Sequence, residues 1–304
     1  MPFNINRREA CRLILASAVA CTGSRTVFAQ PSSPFRLNYS LASSMYGCLP
    51  LEEILPEVRK IGAETIDLWP LKHGNQRNQV TEMGEEAFRQ LLSEHQVRLG
   101  MTTRYDLGPF KLAQEIEFVS RLGGRMIVTG APSTKIPATR EQVHAFVKTM
   151  TPHVKLAQQH GIILAIENHS NSLINHPDTL RWFAEAIDSP NIGIAFAPYH
   201  LPQDPTLLQN LIVELGAKLV HFYAWEHGDG CMEKLPKEQE LKQLPGRGSL
   251  NFGPLLAGLK AIQFNGWTQI FMHPVPRGIP IMESVGECTK VINQARQYLD
   301  QQHS

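Results

Sequence analysis

No C-x-x-C pair occurs in this chain, and its five cysteines stand far apart, at 11, 21, 48, 231 and 288. That spacing excludes a zinc knuckle and a thioredoxin-type redox motif. An excess of one charge is also missing, since the formal net charge is +1. A basic face that tracks phosphates is therefore not expected, and nucleic acid is excluded as a main partner. No run reaches the roughly 18 apolar residues of a membrane span. The first strand-like segment leads into ASSMYGC rather than a G-x-G-x-x-G turn, and there is no G-x-S-x-G elbow. A dinucleotide-binding doubly wound sheet and an α/β-type serine hydrolase thus both lack their signature.

What is present is 304 residues, 42% hydrophobic and 19% charged. This is ordinary globular composition, with enough chain for one large α/β domain. Residues 1–29 read as an export signal. Arg7 and Arg8 precede an apolar stretch at 13–20, and Val27-Phe28-Ala29 offers a small-residue cleavage pattern. The expectation is a twin-arginine signal cut after Ala29, a mature domain at 30–304 and a periplasmic location. Cys21 is an alternative lipoprotein acceptor. Loss of four arginines and one glutamate with the signal leaves the mature chain near −2. An oxidising compartment permits one disulfide, but the sequence does not choose the pair.

Strand-like segments follow at 35–42, 64–69, 97–104, 125–130, 162–168, 192–197, 219–224 and 268–273. Amphipathic segments lie between and after them, among them 84–96, 139–160, 178–188 and 284–302. Strand and helix alternating eight times predicts a single (β/α)8 TIM barrel behind the export signal. Residues 227–250 form the longest irregular connection and end in PGRG. A loop that long inside a barrel is more often functional than filler.

Barrel chemistry sits at the C-terminal ends of strands. The segment IILAIENHS brings Glu167, Asn168 and His169 to one such tip, at the end of a continuous apolar run typical of a buried parallel strand. Trp69, Lys72 and His73 follow the second strand, and Arg104, Tyr105 and Asp106 the third. His200 follows the sixth, His221 lies on the seventh with Trp225 just beyond, and His273 ends the eighth. Imidazoles and a carboxylate converging on one face suit manganese, zinc, iron or cobalt better than magnesium. The expected metal ligands are Glu167, His221 and His273, with His200 completing the set or standing behind it.

The order ETIDLW, LAIENH, x-P-Y-H, VHFYA, PGRGSLNF and GWTQIFMHP resembles the xylose isomerase-like TIM-barrel superfamily. This is the sugar phosphate isomerase/epimerase group, and the resemblance covers about residues 35–300. It implies metal ligands Glu, Asp, His and Glu from strands five to eight, and a substrate-side histidine three residues after the aspartate. Glu167 matches the first ligand, His221 the strand-seven histidine and His200 the substrate-side histidine. Ala197 stands at the aspartate position and His273 at the last glutamate. Arg247, in the GRG turn, matches a position that often reaches substrate.

The resemblance implies an isomerase, epimerase or lyase acting on an unphosphorylated sugar or keto-sugar. A divalent metal would polarise the carbonyl, and Glu167 and His273 would move the proton. Lys72, His73, Arg104, His169 and Arg247 would hold substrate, while Trp69 and Trp225 would stack on the sugar. The missing aspartate leaves a metal-free site possible, and with it the alternative of a non-catalytic exported sugar-binding barrel. A DNA-repair endonuclease shares the fold, but export, near-neutral charge and too few carboxylates oppose it. The expected partner is a small carbohydrate. A homo-oligomer is possible, although the apolar face of the last helix is expected to pack on the barrel.

Overall fold

The eight expected strands close into one parallel barrel in sequence order, β1 to β8. The computed structural model describes residues 35–134, 137–230, 235–272 and 284–302. Residues 1–29, read from sequence as an export signal, and His273 lie outside them. The strands are β1 Asn38–Ala42, β2 Thr65–Leu68, β3 Arg98–Thr103, β4 Met126–Gly130, β5 Ile163–Glu167, β6 Ile192–Phe196, β7 Leu219–Ala224 and β8 Trp267–Ile270. Helices return the chain after each strand. They are α1 Leu51–Lys60, α2 Gln76–Met83, α3 Glu85–Glu94, α4 Ala113–Arg121, α5 Arg140–Gln159, α6 Pro177–Ala186, α7 Pro205–Leu215, α8 Lys237–Glu240, α9 Phe252–Ala261 and α10 Val285–Gln302. The connection at 227–250 is less irregular than its sequence suggests, because the short α8 interrupts it. No described helix is long and apolar enough to cross a membrane.

Helix starts follow the chemistry of their first residues. Thr139 and Gln142 form a capping box at α5, and the Asp204 carboxylate accepts from the N–H groups of Thr206 and Leu207 with Pro205 opening α7. Such caps satisfy amide donors that have no partner within the helix. On α10, Cys288, Val291, Ile292, Ala295 and Leu299 are buried at helical spacing, so that helix spends its apolar face on the barrel.

Paired residues on parallel strands point to the same face. Glu167 pairs with Gly130 and Ala195, and Ala195 pairs with His221. Tyr223 pairs with Gln269. Gln269 reaches across the interior to Asp67 on β2, so this set faces inward. The inner wall is consequently uneven. It is small on β4 to β6 (Gly130, Ala195, and Ala197 just beyond) and aromatic on β7 and β8 and just after β2 (Tyr223, Trp225, Phe271, Trp69). A bulge at Gly100 adjusts the register between β2 and β3. A Cβ there would sit 2.9 Å from the Thr65 Cβ, which only glycine avoids.

Candidate active site

A cleft of about 500 Å³ opens at the C-terminal ends of the strands. Glu167 lies in it, on the small-walled side, and is buried to 2% exposure. Burial alone pushes its carboxyl well above the usual carboxylate range. The His200 ring lies beside it, with Nε2 3.8 Å from Glu167 Oε1. The other His200 nitrogen, Nδ1, is 3.2 Å from the Ser170 hydroxyl. Rings surround this pair. His169 lies 4.0 Å from His200 between centroids, and Trp225 meets His200 edge-on at 5.2 Å.

Asn168 has a different task from its neighbours. Its side-chain NH2 donates to the Ala197 carbonyl at 2.9 Å, and its oxygen accepts from the Ala197 N–H at 2.8 Å. It clamps the tip of β6 to the tip of β5. Ala197 therefore offers neither a side-chain ligand nor a free backbone N–H.

The opposite wall is aromatic. Trp69 stacks on Phe271 at 5.2 Å and 18°. Trp225 stands edge-on to Phe271 at 4.8 Å and lies flat on Tyr199 at 3.9 Å and 9°. Both indoles are pinned by their N–H groups. Trp69 Nε1 donates to Asp67 at 2.7 Å, and Trp225 Nε1 donates to Gln243 at 3.0 Å. Asp67 also accepts from the Thr103 hydroxyl and the Gln269 amide, and burial lifts its carboxyl to about 6 against these donors. Tyr105 and Phe271 line the cleft, and Tyr199 and Tyr223 pack against its rings, although sequence patterning gives none of the four a substrate role. Their signal is the period-two continuation of the inward face past the strand ends.

Trp69, His73, His169 and Trp225 reach the cleft, as expected from the sequence. His73 is held to about 4, first by burial and then by the Lys72 charge, so it is neutral at pH 7. Burial also lowers His169. Three expected substrate cations go elsewhere. Lys72 is exposed. Arg104 is engaged by Glu115 and by both oxygens of Asp106 at 2.9 and 2.8 Å. Arg247 is exposed and donates to Gln294 at 2.6 Å.

The GRG turn surrounds a carboxylate of the chain itself. Glu226 Oε2 accepts from the Leu250 N–H at 2.8 Å, and the Gly248 and Ser249 N–H groups also point at that carboxylate. Burial lifts Glu226 to about 7 against these three donors. The turn thus closes the loop that carries Trp225.

Of the four expected metal ligands, the described structure joins Glu167 and His200. His221 is fully buried on β7, with the Tyr223 ring edge-on at 4.4 Å, and burial lowers it to about 3. No group of three His, Cys, Asp or Glu side chains among the described residues is placed to hold a metal ion. The described donors alone do not fit a divalent ion.

A second cavity of about 510 Å³ lies at the other end of the barrel, against the starts of β1, β4, β5, β7 and β8. It contains no His, Asp or Glu among its described lining residues.

Comparison with known proteins agrees with this architecture. Residues 55–286 match the family described as xylose isomerase-like TIM barrel. An uncharacterized protein of Methanocaldococcus jannaschii is 25% identical over 151 residues, and this chain spans about half the length of that relative, 49%. Among solved structures, the IolI protein with a bound zinc atom is similar at a TM-score of 0.65 and 15% identity, over 88% of this chain and 96% of that one. D-allulose 3-epimerase from Methylomonas sp. is similar at 0.65 and 16%, over 88% and 99%. The probable 3-DHS dehydratase AsbF from Bacillus anthracis is similar at 0.65 and 14%, over 87% and 99%.

Proposed function

The chain belongs to the xylose isomerase-like TIM barrel family, and from that premise we propose that it is an enzyme that removes a proton next to the carbonyl of an unphosphorylated sugar or keto-sugar. The observation that carries this reading is Glu167. A carboxyl buried at a strand tip and facing a cleft, with no lysine or arginine among the described residues lining it, costs stability and has the raised proton affinity of a proton-transfer group. Epimerisation next to a carbonyl and elimination β to one both begin with removal of that proton. Fold neighbours named as a 3-epimerase and a probable dehydratase are in keeping with either outcome.

In the proposed reaction ionised Glu167 takes the C–H proton, and the electron pair moves onto the carbonyl oxygen. His200, within 3.8 Å of Glu167, supplies a proton to that oxygen or exchanges one with Glu167. Return of the proton to carbon gives an isomer or epimer. Departure of a β-oxygen, which leaves with a proton, gives the unsaturated product. The aromatic wall excludes water and holds the apolar face of the sugar.

Incubation with a panel of keto-sugars in deuterated water tests the reading. The wild type is expected to incorporate deuterium at the carbon next to the carbonyl in at least one substrate. Glu167→Gln is expected to lose about 100-fold or more of that rate, as removal of a general acid–base does. A second reading, a sugar-binding barrel without catalysis, is favoured by Ala197, and no exchange across the whole panel would establish it over the first. We also place the mature protein in the periplasm, on the strength of residues 1–29 alone. An Arg7→Lys, Arg8→Lys variant is expected to accumulate as uncut precursor.

A further inference from the structure

The 3.8 Å between His200 Nε2 and Glu167 Oε1 is longer than a hydrogen bond. The pair therefore does not set its own spacing, and the backbone that carries each side chain must do so. Glu167 ends β5. His200 ends a short 3₁₀ turn, Pro198–His200, just beyond β6.

Two side-chain amides grip that turn. At its root is Asn168, the residue next to Glu167, which bonds both backbone groups of Ala197. The Ala197 carbonyl also accepts from the His200 N–H at 3.3 Å, so the backbone of His200 hangs on the clamped residue. At the far end the Gln203 NH2 donates to the Pro198 and Leu201 carbonyls, both at 2.8 Å. The Gln203 oxygen accepts from the His227 N–H at 2.9 Å and ties the turn to the loop after β7. Tyr199, flat on Trp225, reinforces that join from within the turn.

Gln203 thus uses both of its amide hydrogens and its oxygen. Starting α7 does not require this, because Asp204 next to it caps that helix. Nor does satisfying the two carbonyls require a side chain, because Gln203 is only half-buried and water could serve them. What a side chain adds is a fixed position. The His200 imidazole, by contrast, is 3% exposed and packed between other rings, so its place follows from that of the turn. Proton transfer needs heavy atoms within roughly 2.6–3.2 Å in the reacting complex. A displacement of about 1 Å can cost on the order of 100-fold in rate.

We propose that Gln203 is a positioning residue, which together with Asn168 fixes the Pro198–His200 turn so that the His200 imidazole reaches the substrate beside Glu167. This deepens the reading of the site given above and rests on it for the proton transfer, whereas the placement of His200 does not depend on it. Nitrogen-15 spectra of the histidine rings and steady-state deuterium exchange test the two together at one fixed pH. The His200 signals are assigned by their loss in His200→Gln.

Gln203→Met keeps the length of the side chain and removes all three bonds. It is expected to shift or broaden the His200 ring signals. It is also expected to lower kcat for exchange about tenfold or more, with KM changed less than threefold. Asp204→Ala removes the α7 cap but no bond to the turn. It is expected to leave the His200 signals in place and kcat within twofold of wild type. Far-ultraviolet circular dichroism checks that both variants are folded. His200 signals unmoved in Gln203→Met, or moved as far in Asp204→Ala, would overturn the placement. A kcat within twofold of wild type in Gln203→Met, or a loss carried by KM alone, would overturn the role in proton transfer. Moved signals with no exchange even in the wild type would remove the proposed reaction and leave the placement of His200 standing.

Discussion

Gly248→Ala is the substitution on which the account of the 227–250 loop stands or falls. A Cβ at this position would lie 2.1 Å from Glu226 Oε2, 2.4 Å from Glu226 Cδ and 2.4 Å from the Lys242 carbonyl oxygen. The carbonyl belongs to the backbone and cannot rotate aside as a side chain would. Glu226 is buried and held by the N–H groups of 248–250. Either the turn or the carboxylate must move. Overpacking of this kind costs about 1–3 kcal/mol. Disturbing hydrogen bonds to a charged group adds about 1.5–3 kcal/mol. The expected loss is therefore about 3–5 kcal/mol, a fall in melting temperature on the order of 10 °C for a domain this size. Gly286→Ala is the control, because a Cβ there meets nothing and the site lies in α10, where alanine is the better helix former. Scanning calorimetry of both variants decides the matter. A Gly248→Ala melt within 2 °C of wild type, or one no lower than the control, would refute the nest around Glu226.

Further predictions concern the two inward carboxyls. Glu167→Gln is expected to melt higher than wild type at pH 8, even as it loses deuterium exchange. Burial holds the folded carboxyl above its unfolded value near 4.5, so the wild type is penalised as pH rises past that value. The gain should vanish at pH 4, and a gain equal at both pH values would show that charge is not its cause. Asp67→Ala should cost about 3 kcal/mol or more in denaturant unfolding, because it strands the buried donors of Trp69, Thr103 and Gln269. Asp67→Asn keeps one acceptor oxygen and should cost less. Equal losses in the two would deny that these donors matter.

The barrel was legible in the sequence because a parallel strand covered on both faces is a continuous apolar run, and eight such runs alternate with amphipathic segments. Strand tips were legible too, so Glu167, His169, Trp69 and Trp225 stand where the pattern put them. Partnerships across the chain were not. Nothing in the spacing of Arg104 says that Glu115, on α4, will capture it. Nothing in PGRG says that its amides close on Glu226 from the end of the previous strand. Asn168 looks like a third reactive group beside Glu167, yet its two hydrogen bonds both go to the Ala197 backbone. Tyr223 and Phe271 read as core because strand aromatics usually are core, and only closure of the barrel shows that they face its interior.

Ala197, the Asn168 clamp and the raised Glu167 carboxyl belong to one physical arrangement. An aspartate at 197 would set a second carboxylate near Glu167 and call for a cation to hold the two together. With alanine there, and with its N–H bound by Asn168, the tip of β6 carries no charge toward the cleft. Burial then raises the Glu167 carboxyl. A lysine or arginine reaching this point would pull the carboxyl back toward its ordinary range. The cations expected from the sequence at 104 and 247 are each engaged outside the cleft. Proton transfer then falls to the Glu167–His200 pair. On the described lining, which holds no lysine or arginine, ligand recognition rests on neutral contacts. Ligand affinity at this cleft should for that reason be nearly independent of ionic strength, since screening weakens only interactions between charges. A tenfold loss between 0.05 and 0.5 M salt would place a cation in the site after all.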